Sequence, residues 1–231
     1  MMKKLMLIFA TVLFTVAGLS AAEQGNEAKN SRPFTYFSLG ILPGVPNSTQ
    51  LYNVRGLKLG IPVVNGTGYV RGIEASVLYS GTYEIEGCQA SLVGPVIARS
   101  IMGVQASMGP AICKDFSGFQ ASGGAVCIRN AMGCQAGIAT VAHNFTGFQT
   151  GAVNVVTNEL TGFQFGAVNI ANNRYHGFQC GAFNFVTGAF KGFQCGVFNF
   201  SSRDGIQLGG INVIANGYLP VTILFNYSFR D

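Results

Sequence analysis

Few residues in this sequence are suited to acid–base or metal chemistry, and they lie apart. His143 and His176 each fall in a turn-like stretch, with no second histidine or carboxylate at a fixed spacing. A solvated loop histidine is the usual state of such a residue. Glu74, Glu84 and Glu86 form the only local group of acids. Glu84 and Glu86 share one face of a predicted strand and could form a general-acid pair or a cation site, but solvated carboxylates are the commoner outcome.

The cysteines also lack a recognisable metal or redox spacing. None of the six forms a C-x-x-C pair. Cys180 and Cys195 occupy one repeated position that other copies fill with Thr150 or Phe165, which suggests small buried hydrophobes. A disulfide between them requires that their strands be adjacent. The sequence therefore predicts no metal, no cofactor and no catalytic residue, so we do not expect an enzyme.

The composition favours a folded β protein and excludes several partners. Charged residues make up 10% of the 231-residue chain and hydrophobic residues 48%. This balance excludes a disordered chain. The net charge of +5 includes Lys3 and Lys4, and the remainder is too small to indicate nucleic acid binding. No small-molecule substrate is evident.

The first 22 residues have the pattern of a secretory signal peptide. Lys3 and Lys4 precede an apolar core from Leu5 to Val16, and the small residues Ser20–Ala22 follow it. The core has the length of a signal peptide and is short for a membrane span. We therefore predict export with cleavage after Ala22. Residues 23–32 are then a flexible segment, and residues 33–231 form a single β domain.

A repeat of about fifteen residues fills most of that domain. Its pattern is G-φ-Q-x-G-x-x-N, clearest in GFQTGAVNVV from Gly147 and GFQCGAFNFV from Gly177. The repeats run from about residue 56 to 218, and a closing strand is predicted over 219–229. Eleven copies begin 13 to 16 residues apart, at Gly56, Gly72, Gly87, Gly103, Gly118, Gly133, Gly147, Gly162, Gly177, Gly192 and Gly205.

Each repeat reads as about ten extended residues followed by a turn, because its glycine, β-branched and aromatic residues disfavour helix. Strict alternation would mix polar and apolar residues on both faces. A bulge or corner at Gly151–Ala152 repairs this, and the same step fits at Gly166, Gly181 and Gly196. It places Gln149 and Asn154 on one side, with Phe148, Val153 and Val155 on the other.

The first architecture that fits is an antiparallel outer-membrane β-barrel of 12–14 strands. The repeat phenylalanines would then alternate between the two membrane interfaces. The barrel would contact outer-membrane lipid and serve a structural role or form a narrow, weakly selective pore. Its lumen would be lined by Gln149, Gln164, Gln179, Gln194, Gln207, Asn154, Asn169, Asn184, Asn199 and Asn212.

The alternative is a β-solenoid with fifteen residues per coil, exported to the cell surface as a binding or adhesion module. Identical positions would stack in ladders along its axis. We expect Phe148, Val153 and Val155 to fill its core, and Gln149 and Asn154 to face water. The solenoid explains the period as well as the barrel does, but the long alternating strand at 219–229 less well.

The repeat resembles that of the bacterial surface repeat-containing proteins. The resemblance covers residues 52 to 229, including Asn53–Gly60, Leu219–Pro220 and Asn226–Phe229. Those proteins are exported and have no known function. The resemblance implies a location in the cell envelope and no particular activity.

Overall fold

The computed structural model describes residues 32–42, 45–47 and 51–229. The predicted signal peptide, and the segment after it up to residue 31, lie outside the described residues. Eleven strands follow one another: β1 (Phe34–Gly40), β2 (Asn53–Gly60), β3 (Val63–Ser76), β4 (Tyr79–Ser91), β5 (Val96–Thr150), β6 (Val153–Phe165), β7 (Val168–Ala171), β8 (Arg174–Val186), β9 (Ala189–Ser201), β10 (Gly205–Ile214) and β11 (Val221–Ser228).

The strands wind into a parallel β-solenoid of about 12 turns. From β1 to β10 each strand pairs in parallel with the next, and β6 also pairs with β8 because the short β7 fills only part of its coil. The register advances by one repeat, so that Gly162 pairs with Gly177 and Phe163 with Phe178. The 55-residue β5 covers several coils without interruption.

The predicted barrel is therefore wrong and the solenoid alternative is confirmed. A barrel needs the first and last strands to pair, whereas here β1 and β11 lie at opposite ends of the sheet order. Parallel in-register pairing also keeps the repeat phenylalanines in one ladder, so they do not alternate between two girdles. Stacking satisfies each coil's backbone through its neighbours, as closure of a barrel would have done.

The side chains that fill the solenoid differ from those we expected. Gln149 and Asn154 are fully buried, whereas Phe148 is 39% exposed and Val153 and Val155 are half-buried. The corner at Gly151–Ala152 is present, and it keeps glutamine and asparagine on the same side as predicted. That side is the interior. Stacking explains the reversal, since an amide inside the column meets an identical amide on each neighbouring coil, and these neighbours satisfy its hydrogen bonds.

The apolar part of the core lies at two other inward positions of each coil. The first precedes the repeat glycine by two residues, as in Phe145, Leu160, Tyr175 and Phe190. The second follows it by nine, as in Val156, Ala171 and Val186. Tyr175 and Phe190 stack with their ring centroids 5.3 Å apart. One part of the interior is thus hydrocarbon, and the other part holds two columns of amides, one of glutamine and one of asparagine.

The closing strand caps one end of the solenoid. β11 runs antiparallel to β10, with Gln207 opposite Asn226. The alternation predicted for this strand is present, because Ile223, Phe225 and Tyr227 are exposed while Asn226 and Ser228 are buried. Reversing the chain direction here ends the stack of coils without requiring a further repeat.

The close approach of stacked coils requires the repeat glycine and, in the repeats from Gly133 onward, a second glycine at the corner. The backbone φ of Gly162 is 133°, a conformation that residues with a Cβ rarely adopt. At the corner, a Cβ on Gly166 would overlap the carbonyl oxygen of Gly151 and lie 2.6 Å from Nδ2 of Asn154. The first neighbour is a backbone atom, and the Asn154 side chain is held in place by its hydrogen bonds to Phe165 and Asn169.

We therefore expect Gly166→Val to destabilise the protein by more than about 1 kcal/mol. The matched control is Phe165→Val, at the preceding outward position, where no backbone atom is displaced. Urea unfolding followed by circular dichroism measures both. Equal stability of the two variants would contradict the assignment of Gly166 to a tight corner.

Candidate binding surface

A ladder of glutamine side chains runs through the interior and fixes the orientation of the coils. Each Nε2 donates to the Oε1 of the glutamine one coil earlier, as Gln164 does to Gln149 at 2.8 Å and Gln179 to Gln164 at 2.7 Å. All of its members are fully buried: Gln89, Gln105, Gln120, Gln135, Gln149, Gln164, Gln179, Gln194 and Gln207. Buried amides in this arrangement retain their hydrogen bonds and tie each coil to the next.

The donor end of this ladder is closed by a buried ion pair. Lys58 and Glu74 occupy the glutamine position in the first two repeats, and their Nζ and Oε2 atoms lie 3.2 Å apart. Gln89 donates from Nε2 to Oε1 of Glu74 at 2.9 Å, and Lys58 also donates to Thr82 at 2.7 Å. Because every amide points its N–H toward this end, a carboxylate here accepts the last hydrogen bond, and the ammonium balances its charge.

An asparagine ladder runs beside the glutamines with the opposite polarity. Nδ2 of Asn154 donates to Oδ1 of Asn169 at 2.8 Å, toward the C-terminal end, and Asn169 donates likewise to Asn184 at 2.8 Å. Asn154 also donates to the carbonyl of Phe165 at 2.8 Å, which secures the corner of the next coil. The opposed amide dipoles of the two ladders partly cancel, so neither end accumulates the full dipole of both.

These inward ladders decide which residues face outward, and they divide the surface into three sides. The glutamine side carries the outward residues that flank the glutamine ladder, and the asparagine side carries those that flank the asparagine ladder. The charged side carries the outward residues among the four that precede each repeat glycine. Every charged residue between Arg55 and Asp204 lies on the charged side, except the buried pair Lys58 and Glu74.

The glutamine side presents stacked aromatic rings to the surface. The ring centroids of Phe148 and Phe165 lie 5.3 Å apart, those of Phe165 and Phe178 5.6 Å, and those of Phe178 and Phe193 5.4 Å. Phe163 is 51% exposed on the same side. The outward residues of its last five coils are Phe148, Thr150, Phe163, Phe165, Phe178, Cys180, Phe193, Cys195, Ile206 and Leu208.

The asparagine side is apolar throughout its last five coils. Its outward residues there are Val153, Val155, Val168, Ile170, Phe183, Phe185, Phe198, Phe200, Ile211 and Val213. Phe183 and Ile211 are both nearly half exposed, and Val197 at the adjoining corner is more so. Scattered apolar residues are normal on a surface, but a continuous apolar stripe along a whole domain marks an interaction site.

The charged side is polar and carries internal ion pairs. Arg174 pairs with Glu159 at 2.5 Å, and Arg71 pairs with Glu86 at 2.8 Å, each across adjacent coils. The Glu86 carboxylate raises the pKa of the Arg71 guanidinium. These pairs are solvent-exposed and contribute little to stability, so their main effect is to keep this side hydrated.

The residues considered for chemistry do not converge. His143 shares a hydrogen bond of 2.9 Å with Thr157, and His176 is exposed one coil from Lys191. Glu84 and Glu86 do share an outward face, and Glu86 is paired with Arg71. Among residues 32–42, 45–47 and 51–229 no group of three potential metal ligands occurs. None of the ten residues predicted to line a lumen faces an open channel, since each is fully buried in the solenoid.

The partition of charge was missed at the sequence level, although the signal was there. Aligning the repeats on their glycines places both histidines and all the exposed charges of the array in the last four positions of each unit. Net charge alone conceals this pattern. The alignment shows that two of the three outward sides must be uncharged.

No family model, curated protein or solved structure matches this chain. Within the part of the chain that the structure describes, no helix combines the length and apolar character of a membrane span. The surface must therefore be interpreted from its own chemistry.

We expect Gln164→Leu to destabilise the protein by about 2 kcal/mol or more, because it leaves Oε1 of Gln149 and Nε2 of Gln179 buried without partners. Phe163→Leu, one residue away on the surface, is the control and should cost far less. Urea unfolding compares them. Similar losses in the two variants would show that the ladder contributes no more than surface packing.

Lys58→Met should destabilise the protein by about 3–5 kcal/mol, because the Glu74 carboxylate then stays buried without a counter-charge. Adding Glu74→Gln removes that charge and extends the glutamine ladder by one coil. The double variant should therefore recover most of the lost stability in the same unfolding assay. A double variant no more stable than Lys58→Met would refute the assignment of the pair as the ladder's cap.

Proposed function

We propose that this chain is an exported β-solenoid that acts as a non-enzymatic binding module of the bacterial cell envelope. Its glutamine and asparagine sides together form the binding surface, and its partner is the lipid of the outer membrane. The observation that carries the proposal is the confinement of all exposed charges of the repeat array to the charged side.

The geometry of the two uncharged sides suits a lipid surface. Phe178 and Phe183 lie on different sides of one coil, and Val197 lies at the corner between those sides on the next coil. The two uncharged sides and the corner between them can enter the acyl region of the bilayer, while the charged side stays at the level of the headgroups. Amphipathic helices lie in a membrane interface for the same reason.

The hydrogen-bonded backbone of the solenoid is also compatible with a location in lipid. Polar backbone groups must be paired before they leave water, and each inner coil of the solenoid pairs with both of its neighbours. Among the strands of the described residues, only β1 and β11 have a free edge, at the two ends. We therefore place the middle coils in the lipid and the end strands nearest the water.

The pore role has less support than the binding role. It depended on a lumen, and the described interior is filled by the two amide ladders and the apolar core. Export and an envelope location are supported by the signal-peptide pattern of residues 1–22 and by the resemblance to exported repeat proteins. An adhesion module that binds a protein is the second candidate, favoured by the exposed aromatic rings of the glutamine side.

The test is flotation of the purified chain without residues 1–22 on vesicles of uncharged phosphatidylcholine. We expect the protein to float with the vesicles and to resist release by high salt, because its binding surface carries no charge. Phe163→Asp should reduce the bound fraction by about tenfold or more, since it exchanges an apolar contact for a charge.

Thr161→Asp is the matched control, because it adds the same charge to the charged side of the same coil. It should bind vesicles like the unmodified chain. A folded, soluble chain that never floats would overturn the lipid partner, and equal binding by the two aspartate variants would overturn the assignment of the sides.

A further inference from the structure

Two pairs of cysteines lie on consecutive coils of the solenoid. Cys180 of β8 is the direct register partner of Cys195 of β9. The thiol of Cys113 in the core interacts with that of Cys127, which follows it by about one repeat. Neither pair has a recognisable spacing motif, since the repeat itself brings the members together.

The two pairs differ in their access to solvent. Cys113 and Cys127 are each 1% exposed, inside the solenoid. Cys180 and Cys195 are half-buried on the glutamine side, in the same column as Phe165 and Leu208. An oxidant in solution can therefore reach the second pair and not the first.

The spacing of the outer pair suits a covalent bond. Paired residues on adjacent strands lie about 4.8 Å apart. Disulfides join cysteines whose Cα atoms are about 4.4–6.8 Å apart. Both side chains occupy the same outward ladder position on paired strands, and the Cys195 thiol lies close enough to raise the pKa of Cys180.

We propose that Cys180 and Cys195 form a disulfide that joins β8 to β9 once the chain is exported, and that Cys113 and Cys127 remain thiols. The oxidant is a disulfide of a protein or small molecule. The thiolate of one cysteine attacks it and forms a mixed disulfide, with release of one thiolate. The second cysteine then attacks the mixed disulfide, forming the Cys180–Cys195 bond and releasing the other thiolate. The two thiols of the protein are oxidised, and the oxidant takes up their electrons and protons as two thiols.

The reaction should accelerate as the pH rises. Partial burial, and then the neighbouring Cys195, raise the pKa of the Cys180 thiol, so its nucleophilic thiolate becomes more abundant toward alkaline pH. The groups facing Cys180 from the adjacent coils are Phe165 and Cys195, and no charged residue shares this side of the array. The bond closes a single coil, which would restrain fraying near the C-terminal end.

The chain offers a direct assay, because trypsin places each of the six cysteines on a separate peptide. Cleavage after Arg174, Lys191 and Arg203 yields one peptide with Cys180 and another with Cys195. The purified chain without residues 1–22 is folded in reductant and then transferred to a buffer of oxidised and reduced glutathione. Free thiols are alkylated, and the digest is analysed by mass spectrometry without reduction.

We expect the peptides 175–191 and 192–203 to appear linked, and the number of alkylated cysteines to fall from six to four. Cys113→Ser with Cys127→Ser is the matched control and should leave this linkage unchanged. Cys195→Ser should abolish the linkage and leave Cys180 alkylated or carrying glutathione. Circular dichroism of each reduced variant shows that the β structure is retained.

Full alkylation of both Cys180 and Cys195 in the folded, oxidised chain would overturn the proposal. So would a linkage mapped between other cysteines, or a Cys113–Cys127 bond formed at the same rate. None of these outcomes depends on lipid binding. Failure of the disulfide proposal would therefore leave the proposed function untouched, and the reverse also holds.

Discussion

The in-register stacking of buried amides is the interaction on which the rest of this structure depends. From Gln105 to Gln207, each glutamine side chain donates to the glutamine at the same position one coil earlier, so a slip of one residue would break the whole series of bonds. The Gln164 to Gln149 bond of 2.8 Å is one of a series that spans most of the array. The ladders thus fix the register between coils, so that equivalent positions of successive repeats lie directly above one another.

Committing the interior to amides has consequences for the surface. The glutamine and asparagine positions alternate with outward positions, and the chain fills those with phenylalanine, valine and isoleucine. Apolar groups that would form the core of an ordinary β protein are therefore left outside, as the exposure of Phe163 and Phe183 shows. The charged residues lie outside the apolar part of the interior. That part includes the stacked rings of Tyr175 and Phe190.

The proposed lipid contact and the proposed disulfide both arise from this inversion. A ladder position that faces inward is closed to solvent, so Cys113 lies beyond the reach of an oxidant. An outward position on an uncharged side is open, so Cys180 is accessible before any partner covers it. The same repeat that aligns four phenylalanines for contact with a partner also aligns two cysteines for a bond.

The sequence by itself determined the all-β class, the repeat, the corner at Gly151, the alternation of the closing strand and the grouping of Gln149 with Asn154. These follow from local periodicity and from the conformational freedom of glycine. Only the tertiary structure decided that successive repeats stack in parallel, because ten extended residues and a turn fit a barrel strand and a solenoid coil equally well. It also decided that amides rather than phenylalanines lie inside. A buried glutamine is tolerated only when a hydrogen-bonding partner is within reach, and here that partner is a residue of another coil.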